Sequence, residues 1–126
     1  MRAILSLTVA LLVAGNAGAA ELVRADFEGE TVGSIVKLCT ASEDTDVGKY
    51  AIGFCYGWIE GLDQFYDALL ADERFNVQPV ACPGTELSRE ETRDAFVRWA
   101  KEDPAKMKMP ALEGMIRAAK ETFPCN

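Results

Sequence analysis

Carboxylates and cysteines are the residues of this sequence whose types and spacing could do chemistry. Glu60, Asp63 and Asp67 follow one another at intervals of three and four, so two of them could act as acid and base or hold a cation. A solvated helix face produces the same spacing, and we prefer that interpretation. The sequence contains no His, which excludes Ser-His and Cys-His catalysis and the usual zinc sites. We therefore predict no catalytic residue, no metal site and no cofactor.

The cysteines predict covalent staples. Cys39, Cys55, Cys82 and Cys125 make an even number, and an exported chain with an even number favours two disulfides. Four cysteines allow three pairings, and the spacing alone does not decide among them. There is no CxxC motif, so a thioredoxin-like redox site is not supported.

The first residues have the pattern of a secretory signal peptide. Met1-Arg2 is a short basic start, residues 3–13 are apolar, and residues 16–20 are small. This order predicts a leader over residues 1–20, removed at Ala19 or Ala20, and a single domain over residues 21–126. The apolar run is too short for a good membrane anchor, so we expect no membrane attachment after cleavage.

The charge balance limits the class of partner. The sequence has 20 acidic and 13 basic residues and a formal net charge of −7. Nucleic acids and anionic lipids need basic patches, so neither is an expected partner. The acidic character suits a basic protein partner or serves solubility alone.

The longest helical pattern covers residues 46–72. Its apolar residues recur at steps of three and four, which predicts one broad buried stripe: Val47, Ala51, Phe54, Cys55, Trp58, Leu62, Phe65, Tyr66 and Leu69. Gly53, Gly57 and Gly61 lie in a line beside the stripe, and each costs roughly 1 kcal/mol relative to Ala in a helix. We predict close packing of a neighbouring helix there, with a subunit or partner interface as the alternative.

Shorter helices flank the long one. A helix capped by Thr31 is expected to end at Cys39, and the capping box that begins at Ser88 predicts another helix to about Lys101. A last helix over residues 110–122 should turn an apolar stripe inward: Leu112, Met115, Ile116, Ala119 and Phe123. Residues 21–30 are expected to form a loose arm, and residues 73–85 the longest loop. The fold class is therefore all-α, a small disulfide-stapled bundle of four to five helices.

Several motifs together resemble the Rap/Tai family of immunity proteins. The run CYGWIEGLD at residues 55–63 is similar to the family's C-x-G-Y-I-x-G-x-x-D block, with Trp58 in place of Tyr. The run CPG at residues 82–84 and the terminal FPC at residues 123–125 match two further segments. Asp103-Pro104 stands where the family has His-Pro.

The resemblance implies a fold, a compartment and a partner. Members of the family are all-helical, periplasmic and often dimeric, and those characterised block the active-site cleft of peptidoglycan amidase effectors of type VI secretion. It implies a protein partner, a homodimer as a candidate assembly, and disulfides that join Cys55 to Cys82 and Cys39 to Cys125. The expected partner-binding residues lie in the long loop: Glu73, Arg74, Phe75 and Asn76.

Two other functions stay open at this stage. One is an orphan periplasmic binding module or acid-stress chaperone-like module without catalytic activity, because small acidic disulfide-linked helical proteins share this build. The other is a hydrolase that acts through Glu60 and Asp63. Loss of activity on replacing either carboxylate would favour the hydrolase, and suppression of client aggregation at low pH would favour the chaperone.

Overall fold

The chain folds into four α-helices in the computed structural model, which describes residues 21–126. They are α1 (Val32–Cys39), α2 (Asp46–Ala71), α3 (Arg89–Lys101) and α4 (Ala111–Thr122). Short 3-10 helices at Arg24–Glu28 and Pro104–Lys108 precede α1 and α4. Since two disulfides join these elements, the prediction of a small all-α disulfide-stapled bundle is confirmed. The predicted signal peptide lies outside the described residues.

Side-chain caps fix where the helices begin. Thr31 and Thr45 each accept a hydrogen bond from a backbone N–H in the first turn of α1 and α2, respectively. At α3 the capping box is complete: Ser88 Oγ accepts from Glu91 N at 3.2 Å, and Glu91 Oε2 accepts from Ser88 N at 2.8 Å. These bonds satisfy backbone donors that have no partner inside the helix, so local sequence alone sets these boundaries.

The core is built around α1, which packs against α2, α3 and α4. The largest fully buried side chains of the core are those of Phe96, Ile35, Leu38, Val32 and Cys55. The ring of Phe96 in α3 packs against both Trp58 and Trp99, with ring-centroid distances of 6.1 and 6.3 Å. The short α1 thus lies among the three longer helices, which enclose it.

The predicted inner stripes are wrong in part. Val47 and Phe65 of α2 are 54% and 63% exposed, although they share the helical period of the buried residues. In α4, Leu112 and Ile116 are also exposed, and the buried residues are Ala111, Gly114 and Ala118. The physical reason is that α4 approaches α1 closely, which only small side chains permit.

The segment before α1 is not the loose arm that its composition predicts. Asp26 is only 4% exposed, and its carboxylate accepts hydrogen bonds from Val23 N at 2.9 Å and from Lys37 Nζ at 3.0 Å. The ring of Phe27 meets that of Phe54 edge-on at 6.0 Å. A half-buried ion pair and an aromatic contact thus fasten the segment to α1 and α2.

The disulfides differ from the pairing implied by the family resemblance. Cys39 pairs with Cys55, and Cys82 pairs with Cys125. Because α1 packs on α2, the Cα atoms of Cys39 and Cys55 lie 5.1 Å apart, within the range that a disulfide requires. The loop after α2 returns beside the chain terminus, where Cys82 N donates to Phe123 O at 2.8 Å. One staple therefore holds the core, and the other holds the loop to the C-terminal segment.

Among residues 21–126, no helix combines the length and the apolar character needed to cross a membrane.

Candidate partner-binding site

The second half of α2 extends beyond the core. The last buried residue of this helix is Ile59, and its remaining twelve positions are all exposed or half-buried. The helix ends at Ala71, and Asp72 follows it with an extended backbone that begins the long loop. The part of the molecule that follows α2 is thus carried away from the centre of the bundle.

A compact turn follows the helix. Phe75 N donates to Asp72 O at 3.0 Å, and the Asp72 carboxylate accepts from the backbone N, Nε and Nη2 of Arg74 at 2.5–3.0 Å. These hydrogen bonds, chiefly those from the Arg74 guanidinium, lower the pKa of Asp72. Asn76 has a φ of 47°, in the left-handed region that Asn tolerates better than most residues. Hydrogen bonds between its own residues therefore stabilise the conformation of the turn.

The four residues predicted to bind a partner lie at the exposed tip of this turn. Glu73, Arg74, Phe75 and Asn76 are all exposed, and the aromatic side chain of Phe75 is 58% exposed. Burial of an aromatic ring is favourable, so a partner that covers Phe75 gains free energy of binding.

The loop is anchored on its way back to the bundle. Val80 N donates to the hydroxyl of Tyr66 at 2.7 Å, which ties the loop to α2. The Cys82–Cys125 disulfide then fixes it to the C-terminal segment. The Tyr66 anchor has no signal in the sequence, because it joins a helix residue to a loop residue that only the folded chain brings together.

The carboxylates on α2 do not converge on a reaction centre. Asp63 and Asp67 are exposed and Glu60 is half-buried. Partial burial, then the negative charges of Asp67, Glu60 and Glu86, raise the pKa of Asp63. In the part of the chain that the structure describes, no three Asp, Glu or Cys side chains are grouped so as to hold a metal ion. These carboxylates therefore have the positions expected of charged residues on a solvated helix face.

No neighbouring helix of the described chain packs on the line of glycines at Gly53, Gly57 and Gly61. A Cβ atom added to Gly53, Gly57 or Gly61 would meet nothing within 4 Å, so the prediction of close intramolecular packing at these residues is wrong. The reason is that α1 and α3 pack on the other side of α2, where its buried residues lie: Gly48, Ala51, Ile52, Cys55 and Ile59.

Residues 31–125 match the family model of the Rap1a immunity proteins. This range includes all four helices, both disulfides and the exposed turn. The chain belongs to the Rap1a immunity protein family. No curated protein and no solved structure matches the chain.

Family membership gives the anchored turn a context. Immunity proteins act by binding a secreted effector, so membership of the family indicates that this chain binds a protein partner. The motifs that resemble the Rap1a family have mainly structural positions: residues 55–63 lie within α2, and Cys82 and Cys125 form the outer staple. The exposed residues of the turn lie outside those motifs, as expected where different members bind different partners.

Proposed function

We propose that this protein is a periplasmic immunity protein that neutralises a peptidoglycan amidase effector of type VI secretion. In this proposal the turn at residues 73–76 enters the active-site cleft of the amidase and blocks access of the substrate. Membership of the Rap1a family supports the binding of an effector. The amidase class and the periplasmic site of action follow the family resemblance of the sequence motifs.

The single observation that carries the proposal is an exposed turn that is anchored at its base. Its tip presents Phe75, and its base is fixed by Asp72, Tyr66 and the Cys82–Cys125 disulfide. A preformed turn loses little conformational entropy on binding, so more of its contact energy appears as affinity. Aromatic residues and Arg are enriched in protein interfaces, and the turn presents Phe75 beside Arg74.

The proposed mode of action is binding without catalysis. The sequence contains no His, and the α2 carboxylates are spread along a wet surface rather than gathered in a cleft. The two disulfides of this small domain suit an oxidising compartment such as the periplasm, where such an effector reaches peptidoglycan.

The direct test is inhibition of a purified peptidoglycan amidase encoded beside the gene for this chain. We expect a stoichiometric complex and loss of peptidoglycan hydrolysis. Replacement of Phe75 by Ala should weaken binding by about 2 kcal/mol, or roughly 30-fold in Kd, as truncation of a central aromatic anchor typically does. The matched control is Leu112→Ala on α4, because Leu112 is also about half exposed but lies outside the turn.

The outcomes separate the parts of this proposal. Equal inhibition by the Phe75→Ala variant and the parent would show that the turn is not the contact. Failure of the parent to bind the amidase, or to protect cells that export it, would overturn the amidase assignment.

A further inference from the structure

The half of α2 that extends beyond Ile59 carries an acidic face. Four of its side chains follow one another at steps of three and four, which places them on one side of the helix: Glu60, Asp63, Asp67 and Leu70. We call these four residues the acidic face of α2. Leu70 is 37% exposed and lies about one turn after Asp67, only two residues before Asp72. The acidic face therefore adjoins the exposed turn at residues 73–76.

The negative charge of this face is not balanced within the described chain. Residues 60–73 include five acidic residues and no basic one. None of the three carboxylates of the face forms a salt bridge with a described Lys or Arg side chain. The guanidinium of Arg89 acts on Glu60 from a distance, but Arg89 is hydrogen-bonded to Glu90. The face therefore presents negative charge that remains available to a partner.

We infer that the partner of the exposed turn carries a basic surface beside its cleft, and that the acidic face of α2 docks on this surface while Phe75 enters the cleft. The inference rests on the proposed function and adds the chemistry of the partner: Lys or Arg side chains around an apolar patch that receives Leu70. Potentials of opposite sign face each other in this way across protein interfaces. A second copy placed face to face is disfavoured as the occupant, because carboxylates would then meet carboxylates.

The distribution of side chains favours a partner over solubility as the reason for this charge. Several exposed large apolar residues of the described chain lie on or close to this half of α2 in sequence: Phe65, Leu70, Phe75 and Val80. Apolar side chains beside a charged rim are the usual anatomy of a protein interface. Partial burial and then the charges of its acidic neighbours raise the pKa of Asp63, so the free chain bears a repulsion that a cationic partner relieves.

The charged and the apolar residues of the face should act on different rate constants. Attraction between opposite charges steers the encounter of two proteins, so exposed carboxylates mainly raise the association rate, and salt screens this effect. Leu70 is covered by the partner only once the complex has formed, so it mainly lowers the dissociation rate. Separate changes to the carboxylates and to Leu70 therefore distinguish the two contributions.

The first test is stopped-flow association of the full exported chain with the purified amidase encoded beside its gene. The rate is measured at about 0.1 M and about 1 M salt, where the screening length is roughly 10 and 3 Å. We expect Asp63→Asn/Asp67→Asn to slow association about fivefold at the lower salt concentration and to flatten the salt dependence. The variant should fold, because both side chains are exposed and the change removes a like-charge pair.

The matched control for the carboxylates is Glu43→Gln/Asp44→Asn. Both residues are exposed, and this variant has the same net charge as Asp63→Asn/Asp67→Asn. Glu43 and Asp44 precede α2, whereas Asp63 lies about 25 Å along the helix from its first residue. Because that distance exceeds the screening length at about 0.1 M salt, the control should keep the association rate of the parent.

The second test measures dissociation of the complex with the amidase. Leu70→Ala should raise the dissociation rate about fivefold and leave the association rate nearly unchanged, because the contact of Leu70 forms only in the complex. Ile116→Ala is the matched control, since Ile116 is also a helix residue, is 44% exposed and lies on α4, away from the turn. The control should dissociate at the rate of the parent.

The results separate this inference from the proposed function. An association rate of the parent that does not change with salt would overturn the basic surface of the partner and leave inhibition of the amidase standing. Equal slowing by the two double charge variants would also overturn it, because net charge rather than the acidic face would then set the rate. Unchanged dissociation in Leu70→Ala would overturn the apolar part of the contact. A parent that does not bind the amidase would overturn both the proposed function and this inference.

Discussion

Gly114 of α4 packs directly on Val32 of α1. A Cβ atom added to Gly114 would lie 2.1 Å from Cγ2 of Val32, whose side chain is completely buried. The absence of a side chain at this one position thus sets how closely the two helices approach.

We predict that Gly114→Ala destabilises the fold by about 1–3 kcal/mol, as overpacking of a filled core typically does. The β-branched Val32 cannot turn away without meeting its other neighbours, so the strain should exceed the gain of roughly 1 kcal/mol in helix propensity. Urea unfolding followed by circular dichroism measures the difference. Gly53→Ala is the control, and it should be stabilising because the added methyl group has open space. Equal effects at the two glycines would contradict the packing.

The ion pair between Asp26 and Lys37 predicts a pH-dependent contribution to stability. Burial alone would raise the pKa of Asp26, but the hydrogen bond from Val23 N and the Lys37 ammonium lower it overall. An acid whose pKa is lower in the folded chain stabilises the fold above the unfolded pKa of about 4, and this contribution is lost as pH falls through the folded pKa. We expect Asp26→Asn to cost about 1–2 kcal/mol at pH 7, toward the lower end because Lys37 is 41% exposed.

The measurement for Asp26 is the urea midpoint of the variant and the parent at pH 7 and near pH 3. The gap between the two proteins should narrow at the lower pH, where the carboxylate of the parent approaches protonation. Asp94→Asn is a suitable control, because the Asp94 side chain is about half exposed and pairs only at the surface. A gap of the same size at both pH values would show that the carboxylate charge is not what fastens this segment.

The elements with strong local signals could be predicted from the sequence. The starts of α1 and α3 are predicted by the capping residues Thr31, Ser88 and Glu91, because capping depends only on residues close together in the sequence. The position of a helix relative to its neighbours has no such signal. Val47 and Phe65 have the helical period of the core residues but are exposed, because periodicity does not tell which sides of a long helix another element covers.

The glycines show the same limit. A Cβ atom on Gly48 would lie 1.7 Å from Ser42 O, whereas one on Gly57 would meet nothing. Both residues lie in the same helix, and only the tertiary structure separates them. Exposure of the turn at residues 73–76 could be predicted from the loop-forming residues around it. Its two anchors could not be predicted, because no local pattern shows that the Tyr66 hydroxyl accepts from Val80 N or that Cys82 pairs with Cys125.

The two disulfides should differ in their accessibility to reductants. Cys39 and Cys55 are 4% and 0% exposed, whereas Cys82 and Cys125 are both exposed. Because exchange requires a thiolate to reach a sulfur atom, we expect a mild reductant to open Cys82–Cys125 first. Limited reduction of the native protein, alkylation and peptide mass spectrometry should then find label on Cys82 and Cys125 only. Label on all four cysteines from the outset would contradict the buried position of the inner staple.

Opening the outer staple should have a local consequence. The Cys82–Cys125 bond ties the return of the loop to the C-terminal segment, so its reduction releases one anchor of the turn and leaves α1 and α2 joined. We expect helical circular dichroism to persist while affinity for the amidase falls, since a looser turn loses more entropy on binding. Double replacement of Cys82 and Cys125 by Ser should reproduce both effects. Unchanged affinity in that variant would show that the staple does not serve the turn.

Asp63 offers a test of whether the α2 carboxylates serve chemistry or lie on a solvated surface. Partial burial and its acidic neighbours raise its pKa, so the ionised form is less favourable in the folded chain than in the unfolded one. Asp63→Asn should therefore stabilise the protein at pH 7 by a few tenths of a kcal/mol, the usual size of a like-charge pair on a helix. The gain should fade as pH falls toward 4, where the parent also becomes neutral, and shrink in high salt, which screens the repulsion. Thermal unfolding at two pH values and two salt concentrations measures it, and a loss of stability at pH 7 would contradict the repulsion between these carboxylates.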